Sequence, residues 1–371
     1  MKLRCSRAMT SGRPPARRSG IALIMVLIVV VMLGMLAAAF AYAMKVETTL
    51  GRHTTFNSDL DWAGRAGVEV ARWVLGVETQ ESRGLDSLKL KSMGGPGDTN
   101  SILYGVDLKN YQLVGPLGDT VATLSFEIID LDRKFNINTA DKLILDEALT
   151  VIGVDASEAS TIVSSILDWR DRDGNVTAGG AESSFYEQQD PPYFAKDGPI
   201  DDLSELLLVK GVNPAIYYGS GAAGMPAVLN RRQSLRDSVF DAPSYPVGLV
   251  NLFTPLSGGR VNIYTADSTV LQVFPGVMAE DADAWISFRN GPDGAPGTLD
   301  DIVMPVGGGG LQMVPGMRPD AMAALQTYGG SQSRCFEARI NVDVRGTRRE
   351  YVAILRRNGP KDVQTLNIHW K

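Results

Sequence analysis

From Ile21 to Met44 the chain runs through 24 residues without a charge, IALIMVLIVVVMLGMLAAAFAYAM, and this run constrains everything that follows it. As an α-helix rising ~1.5 Å per residue it reaches ~36 Å, slightly more than the hydrocarbon core of a bilayer. The residues ahead of it hold Lys2, Arg4, Arg7, Arg13, Arg17 and Arg18 and no acid. Basic flanks stay on the cytoplasmic side, so the expected topology is a single pass with the N-terminus cytoplasmic and the bulk of the chain outside the cytoplasm.

Two kinds of processing fit this start. Ala41-Tyr42-Ala43 supplies the small-x-small site of a Sec signal, but the apolar run exceeds the usual ~7–15-residue signal core. Gly20 followed by Ile21-Ala-Leu-Ile-Met-Val resembles instead the type IV prepilin site, where a basic leader is cut after glycine and the apolar segment stays as the first half of a long helix. Most members of that family carry Glu at the fifth mature position, and this chain has Met25 there. The family's glutamate is understood to meet the N-terminal amine of a neighbouring subunit, and a buried carboxylate lacking that amine is costly. Met25 therefore marks either a protein that is no pilin or a subunit that takes a special end position.

Beyond the anchor, 371 residues leave room for two compact domains, and 44% hydrophobic with 21% charged residues is an ordinary globular composition. Without the six leader bases, 30 basic face 42 acidic residues, a formal charge of −12 in place of −6. That balance argues against a nucleic-acid partner, which depends on a net basic face, and is compatible with divalent cations. Cys5 lies in the leader and Cys335 near the end, so the exported part has no partner for an intramolecular disulfide.

Phe56, Leu60, Ala63, Ala66/Gly67, Val70, Trp73/Val74 and Val77 recur at helical spacing, which continues the membrane helix to about Gly76. Turn-rich sequence around Gly94-Gly95-Pro96-Gly97 follows, then Val121–Asp130 alternates as a strand with Ala122, Leu124, Phe126 and Ile128 on one face. From Asn136 the period turns helical. Asn138-Thr139 is placed as the cap of a helix starting near Ala140, Val151-Ile-Gly153-Val as a tight turn, and a second helix runs from about Ser157 to Trp169-Arg170. Phe135-Asn-Ile-Asn-Thr-Ala-Asp141 is echoed by Val261-Asn-Ile-Tyr-Thr-Ala-Asp267, followed by Phe274-Pro-Gly276-Val and a helix through Trp285 to Arg289. A third such turn, Leu208-Val-Lys-Gly211-Val, closes a helix over Asp202–Val209.

These helix-hairpin-helix-like units bind DNA backbone in many proteins, through glycine amides and nearby bases. Here Asp155, Asn213 and Met278 stand two positions after the glycines and no basic cluster surrounds any turn, so the plain reading is local helix packing. The text from Gly219 to Gly259 reads as a connection. Strands over Phe336–Val344, Tyr351–Arg357 and Thr365–Trp370 form an antiparallel C-terminal sheet.

The chemistry concentrates in Asp168-Trp-Arg-Asp171-Arg-Asp173-Gly-Asn175-Val-Thr177 with Glu182. Counted from Asp171, oxygen donors fall at loop positions 1, 3, 5, 7 and 12, spacings that an EF-hand uses around Ca²⁺. Val176 stands where the EF-hand needs glycine, and no helix is evident after Glu182, so the loop is a cation site of another build or an acidic solvated loop. Glu187, Asp190, Asp197, Asp201 and Asp202 are a less specific second cluster, with Asp202 equally a helix cap, and Asp293–Asp301 is another acidic turn. Neither His53 nor His369 has a nucleophile at motif spacing, and no phosphate-binding loop, Cys/His cluster or Gly-x-Ser-x-Gly elbow occurs, so no enzyme activity is expected.

Together with the anchor lacking the fifth-position Glu, the ordered motifs Lys134-Phe-Asn-Ile-Asn-Thr-Ala140, Ile166–Asp173, Gly180-Ala-Glu182, Pro191-Pro-Tyr193, Leu203–Gly211 and Tyr351-Val-Ala-Ile-Leu-Arg-Arg357 resemble the minor pseudopilin K family of the type II secretion system. The resemblance implies an α+β fold, a long N-terminal helix packed on an antiparallel sheet and interrupted by a large inserted α-helical domain. The expected organisation is a leader over 1–20, a transmembrane helix over 21–44, a first pseudopilin part over 45–135, the insertion over 136–258 and a C-terminal pseudopilin part over 259–371. It also implies cleavage by prepilin peptidase after Gly20, N-methylation of Ile21, a place at the pseudopilus tip with minor pseudopilins I and J, and calcium. The calcium carries over to Asp171, Asp173, Asn175 and Glu182, with Asp168 as a candidate orienting neighbour. Tyr264 departs from the Asn expected in the second Asn-x-Asn-Thr-Ala motif. Readings from other classes are an exported, membrane-tethered DNA-binding protein and a secreted calcium-dependent enzyme.

Overall fold

A computed structural model of the chain describes residues 19–116, 118–220, 245–306 and 309–371. The basic leader up to residue 18 and most of the expected connection after Gly219 lie outside these residues. The elements are helix α1 (Ser19–Glu81), strands β1 (Tyr111–Val114), β2 (Thr120–Asp130) and β3 (Phe135–Asn136), and helices α2 (Lys142–Ile152), α3 (Ala156–Arg170), α4 (Ser183–Tyr186) and α5 (Pro214–Tyr218). There follow β4 (Phe253–Thr254), β5 (Val261–Asn262), the helix Ala279–Arg289, the helix Pro319–Tyr328, β6 (Gly329–Gly330), β7 (Cys335–Val344), β8 (Thr347–Gly359) and β9 (Asp362–Trp370).

The chain divides into residues 1–59 and 60–371. In the first unit α1 is apolar and solvent-facing: Leu23, Val30 and Leu36 are 72, 61 and 67% exposed, and the segment is long and apolar enough to cross a membrane. Its polar residues look after themselves, the Thr48 and Thr49 hydroxyls donating to the carbonyls of Met44 and Lys45.

In the second unit α1 lies on a five-stranded antiparallel sheet of order β1-β2-β7-β8-β9. Leu60, Ala63, Ala71 and Val74 pack against Leu124 of β2, Ile340 of β7 and Ala353 of β8. Glycine permits this close approach, because a Cβ at Gly64 would stand 2.6 Å from the Tyr351 ring and one at Gly67 would stand 2.8 Å from Ile340. Ala122, Leu124, Phe126 and Ile128 are all buried, as the strand alternation of β2 requires. Val74 turns inward and its neighbour Trp73 outward.

The helical part has its own core, and the two sequence copies are its skeleton. β3 pairs parallel with β4, and β5 with β6, so each copy begins as a short strand held by a distant one. Asn136 and Asn262 then turn the chain in the same way, each side-chain oxygen accepting the N–H two residues on. The guanidinium ending each copy's helix closes the unit. Arg170 donates to the carbonyls of Ile137 and Ala140, and Arg289 to those of Ile263 and Ala266, the latter at 2.6 and 2.8 Å.

Two local expectations differ. Asp141, rather than Asn138-Thr139, caps α2, its carboxylate accepting the Ile144 N–H at 2.9 Å. The insertion placed over 136–258 has no boundary at 258, because Val261, Phe274, Trp285 and Leu325 share one continuous core with Phe135, Ile162 and Leu252. The second copy buries its apolar face against the first, so the helical part extends to the helix Pro319–Tyr328 and the C-terminal sheet strands start at Cys335.

A buried polar layer lies where β2, β5 and β8 come together. Asn262 donates to the Asp86 carbonyl, to Asp130 and to the Ser333 hydroxyl, while Thr265 and Ser333 donate to Asp130 at 2.5 and 2.6 Å. Arg357 ion-pairs with Asp86. Burial pushes the Asp130 carboxyl up to about 7, with the charge of Asp132 adding to it.

Candidate metal centre

The end of α3 is fixed on several sides before the acidic loop begins. Trp169 packs edge-on against Tyr186 at 5.2 Å, Arg170 is held by its two carbonyls, and the Asp171 N–H closes the helix on Leu167. Asp168, fully buried, then folds the loop back, both of its oxygens accepting the Thr177 N–H at 3.3 and 3.1 Å. Gly180 makes that return tight, since a Cβ there would stand 2.1 Å from Asp168 Oδ2. Lys210 donates to the carbonyls of Gly179 and Gly180, and Ser164 to that of Ala178.

This folding brings Asp171, Asp173 and Glu182 together, with one oxygen of each within 4.8 Å of the others. Oxygens ~2.3–2.6 Å from a shared Ca²⁺ stand at separations up to about 5 Å, so the cluster has the dimensions of a cation site. Asp171 Oδ1 and Glu182 Oε1 are buried without a hydrogen-bond partner, which fits donors turned to an ion rather than to protein. Burial raises both carboxyls, followed for Asp171 by the charge of Asp173 and for Glu182 by that of Asp197. Asn175 lies in the same loop, exposed, its N–H on Asp173 at 2.9 Å. Val176 is 57% exposed, and a helix does follow Glu182: α4 starts at the next residue. It is a single turn, too short for a period to reveal it in sequence.

In the other acidic runs Asp201, Asp202, Asp300 and Asp301 are engaged locally, while Asp197 acts on Glu182. Asp202 caps the 3-10 turn Leu203–Leu208 with Glu205 completing the box, and Lys196 pairs with Asp201 and Glu205 at 2.6 and 2.7 Å. Asp300 and Asp301 accept the N–H groups of Asp293 and Gly297 and the Thr298 hydroxyl within their own turn. Among the described residues, Asp171, Asp173 and Glu182 form the one metal-sized group of three.

The glycine turns adopt left-handed conformations, with φ of +93° at Gly153, +87° at Gly211 and +76° at Gly276. Their following amides are engaged by the chain itself: Val154 donates to Leu149, Val212 to Val209 and Val277 to Phe274. Amides so used are not offered to a phosphate backbone. Cys335 is 6% exposed, and burial pushes its thiol up to about 11, the state of a packed residue rather than a nucleophile. On α1, which begins beside Gly20, Ile21 and Met25 are 67 and 63% exposed.

Residues 125–219 match the family model described as type II secretion system (T2SS), protein K. The chain is 25% identical over 214 residues to the type II secretion system protein K of Klebsiella pneumoniae, an alignment that takes in 54% of this chain and 60% of that protein. It is 26% identical over 106 residues to the protein of the same name from Pectobacterium carotovorum subsp. carotovorum, across 24% of this chain and 32% of the relative. The chain thus spans about three fifths of the length of the Klebsiella relative. Its fold is similar to a chain in the crystal structure of the GspK-GspI-GspJ complex from the enterotoxigenic Escherichia coli type 2 secretion system. That match covers 86% of this chain and 98% of the other, with a TM-score of 0.58 at 16% identity.

Proposed function

We propose, on the premise that the chain belongs to the type II secretion system protein K family through residues 125–219, that it is a minor pseudopilin which assembles at the tip of a pseudopilus. The observation that carries this reading is the helix–sheet packing of the second unit, in which α1 from Leu60 onward lies on β2, β7 and β8 and the helical body interrupts the chain between β2 and β7. The role is one of binding: α1 anchors the precursor in the inner membrane, its apolar surface joins a bundle of partner helices, and the domain stands in the periplasm. Prepilin peptidase removes the basic leader after Gly20, and the new terminus at Ile21 is methylated. Met25 places no carboxylate in the bundle, which suits a subunit with no neighbour above it. The partners are minor pseudopilins I and J, the proteins named beside the structural neighbour.

A divalent cation, calcium by its preference for hard oxygens, is held in this reading by Asp171, Asp173 and Glu182, with Asn175 as a further donor from the loop. Its two positive charges would offset most of the charge of the three carboxylates and fix the loop after α3 without a disulfide. Asp168 positions the loop through the Thr177 N–H.

N-terminal sequencing of membrane-extracted protein, coupled to co-purification with co-expressed minor pseudopilins I and J, tests the proposal. A methylated start at Ile21 and recovery of a ternary complex are expected. A start at Met44 eliminates the prepilin route.

A further inference from the structure

Under the last turns of α1 a cavity of about 240 Å³ opens between that helix, the turns that follow it and the segment around Asp301. Glu78 lines it and is 3% exposed. One of its oxygens accepts the Ser92 N–H at 3.0 Å, the Ser92 hydroxyl stands beside the carboxylate and favours its ionised form, and the other oxygen is buried without a hydrogen-bond partner of good geometry. Ser82, one helical turn further on the same face, also lines the cavity, and its hydroxyl too is buried and unpartnered. Glu81 stands at the same wall, taking the Ile102 N–H at 3.2 Å, and the buried Leu103 supplies apolar surface.

The charges around this space are unbalanced. Glu78, Glu81, Asp98 and Asp301 line it against Lys89 and Lys91, and the Lys89 ammonium is already given to the Leu299 carbonyl at 2.7 Å. No cation is among the groups acting most strongly on Glu78; the charge that does is Asp86, another acid. A carboxylate removed from water and left unpaired costs several kcal/mol, which a cation with its own donors offsets. A cavity of about 150 Å³ holds a benzene ring, so this one has room for a charged group on a few carbons.

We propose that this cavity is a binding site for a primary ammonium or guanidinium group on a short apolar stem, which pairs with Glu78 and donates to the Ser82 hydroxyl. Burial holds the Glu78 carboxyl up at about 7, and an adjacent cation favours its ionised form. The group is either a free small amine or the side chain of a lysine or arginine on another polypeptide. The site stands apart from the acidic loop after α3, and the proposal does not depend on the tip assignment.

The test is calorimetric titration of the full-length chain in detergent at pH 8 with agmatine, N-acetyl-arginine methylamide and the neutral isostere N-acetyl-citrulline methylamide. At least one of the two cations is expected to bind saturably, with the citrulline compound about tenfold weaker or worse because it lacks the charge. Binding of agmatine alone assigns a free amine, and binding of the blocked arginine assigns a polypeptide side chain. Glu78→Gln, which keeps the shape and removes the charge, is expected to weaken binding at least about tenfold, and Ser82→Ala by about three- to tenfold. Circular dichroism of both variants certifies that they are folded. Absence of binding by both cations overturns the proposal, as does equal binding of the citrulline compound or unaltered affinity in both variants.

Discussion

Asn138 and Tyr264 hold the same position in the two copies of one motif and make the same connection with different chemistry. The amide of Asn138 accepts the Ile200 N–H and donates to the Ile200 carbonyl, at 2.7 and 2.9 Å. The hydroxyl of Tyr264 accepts the Met304 N–H and donates to the Met304 carbonyl, at 3.1 and 2.7 Å. Each ties its copy to the backbone of one remote residue, and the longer tyrosine does so while packing its ring against Trp285 at 5.2 Å. Tyr264 is therefore a functional substitute for the asparagine that the motif leads one to expect.

Tyr264→Phe leaves both polar groups of Met304 without this partner and is expected to cost about 1–3 kcal/mol. Urea denaturation of the detergent-extracted chain, followed by tryptophan fluorescence, measures it. A loss below about 0.5 kcal/mol would mean that the hydroxyl is dispensable to the second copy.

The paired guanidiniums predict a charge-conserving but damaging change. Arg289 is 6% exposed and burial lowers its pKa to about 10. Lysine has no fork with which to reach both Ile263 and Ala266, so Arg289→Lys is expected to cost about 2 kcal/mol or more, and Arg170→Lys a comparable amount. The same unfolding curves read this out, and a neutral result at both positions would contradict the clamp.

For the acidic loop, chelation is expected to lower the melting temperature and added calcium to restore it. Asp171→Ala is expected to remove most of that response, because it deletes a donor whose Oδ1 has no protein partner. Scanning calorimetry with and without chelator decides; an indifferent wild-type chain refutes the calcium proposal.

Gly180→Ala separates the loop's shape from its ligands. The added methyl cannot share space with Asp168 Oδ2 at 2.1 Å, so the loop must move, at an expected cost of about 1–3 kcal/mol and with a weakened calcium response. A calcium-induced shift equal to that of the wild type would show that Asp168 does not position the site.

The buried acids set a pH dependence of definite sign. Asp130 and Glu78 rise from unfolded values of 3.8 and 4.5 to about 7, so between those values the folded state binds more protons than the unfolded one. The contribution of these two acids to stability is accordingly greatest below about pH 4, falls as pH rises toward about 7, and levels off above it. Asp130→Asn keeps an acceptor for Thr265 and Ser333, gives up the oxygen that accepts the Asp132 N–H and removes the charge, so it should flatten the curve. Denaturation midpoints across pH 4–8 test this, and an unchanged slope would place the titration elsewhere.

Much of this protein was legible in the sequence because its signals are local and periodic. An uncharged run of bilayer length, the alternation of Ala122, Leu124, Phe126 and Ile128, and a seven-residue echo each carry their physical meaning without knowledge of neighbours. The spacing of Asp171, Asp173 and Glu182 is legible in the same way, although their approach within 4.8 Å rests on the contacts that Asp168 and Lys210 make with the returning loop. Tertiary structure alone decided what depends on distant partners. It extended the helical part past residue 258, because the two copies bury their apolar faces on each other. It spent Asp201, Asp202 and Glu205 on Lys196 and a helix cap while leaving Glu182 unpartnered, a distinction that identical carboxylates in sequence cannot show. It also placed Glu78, an ordinary polar position on an amphipathic helix, beside a cavity and away from water, because burial is set by elements far along the chain.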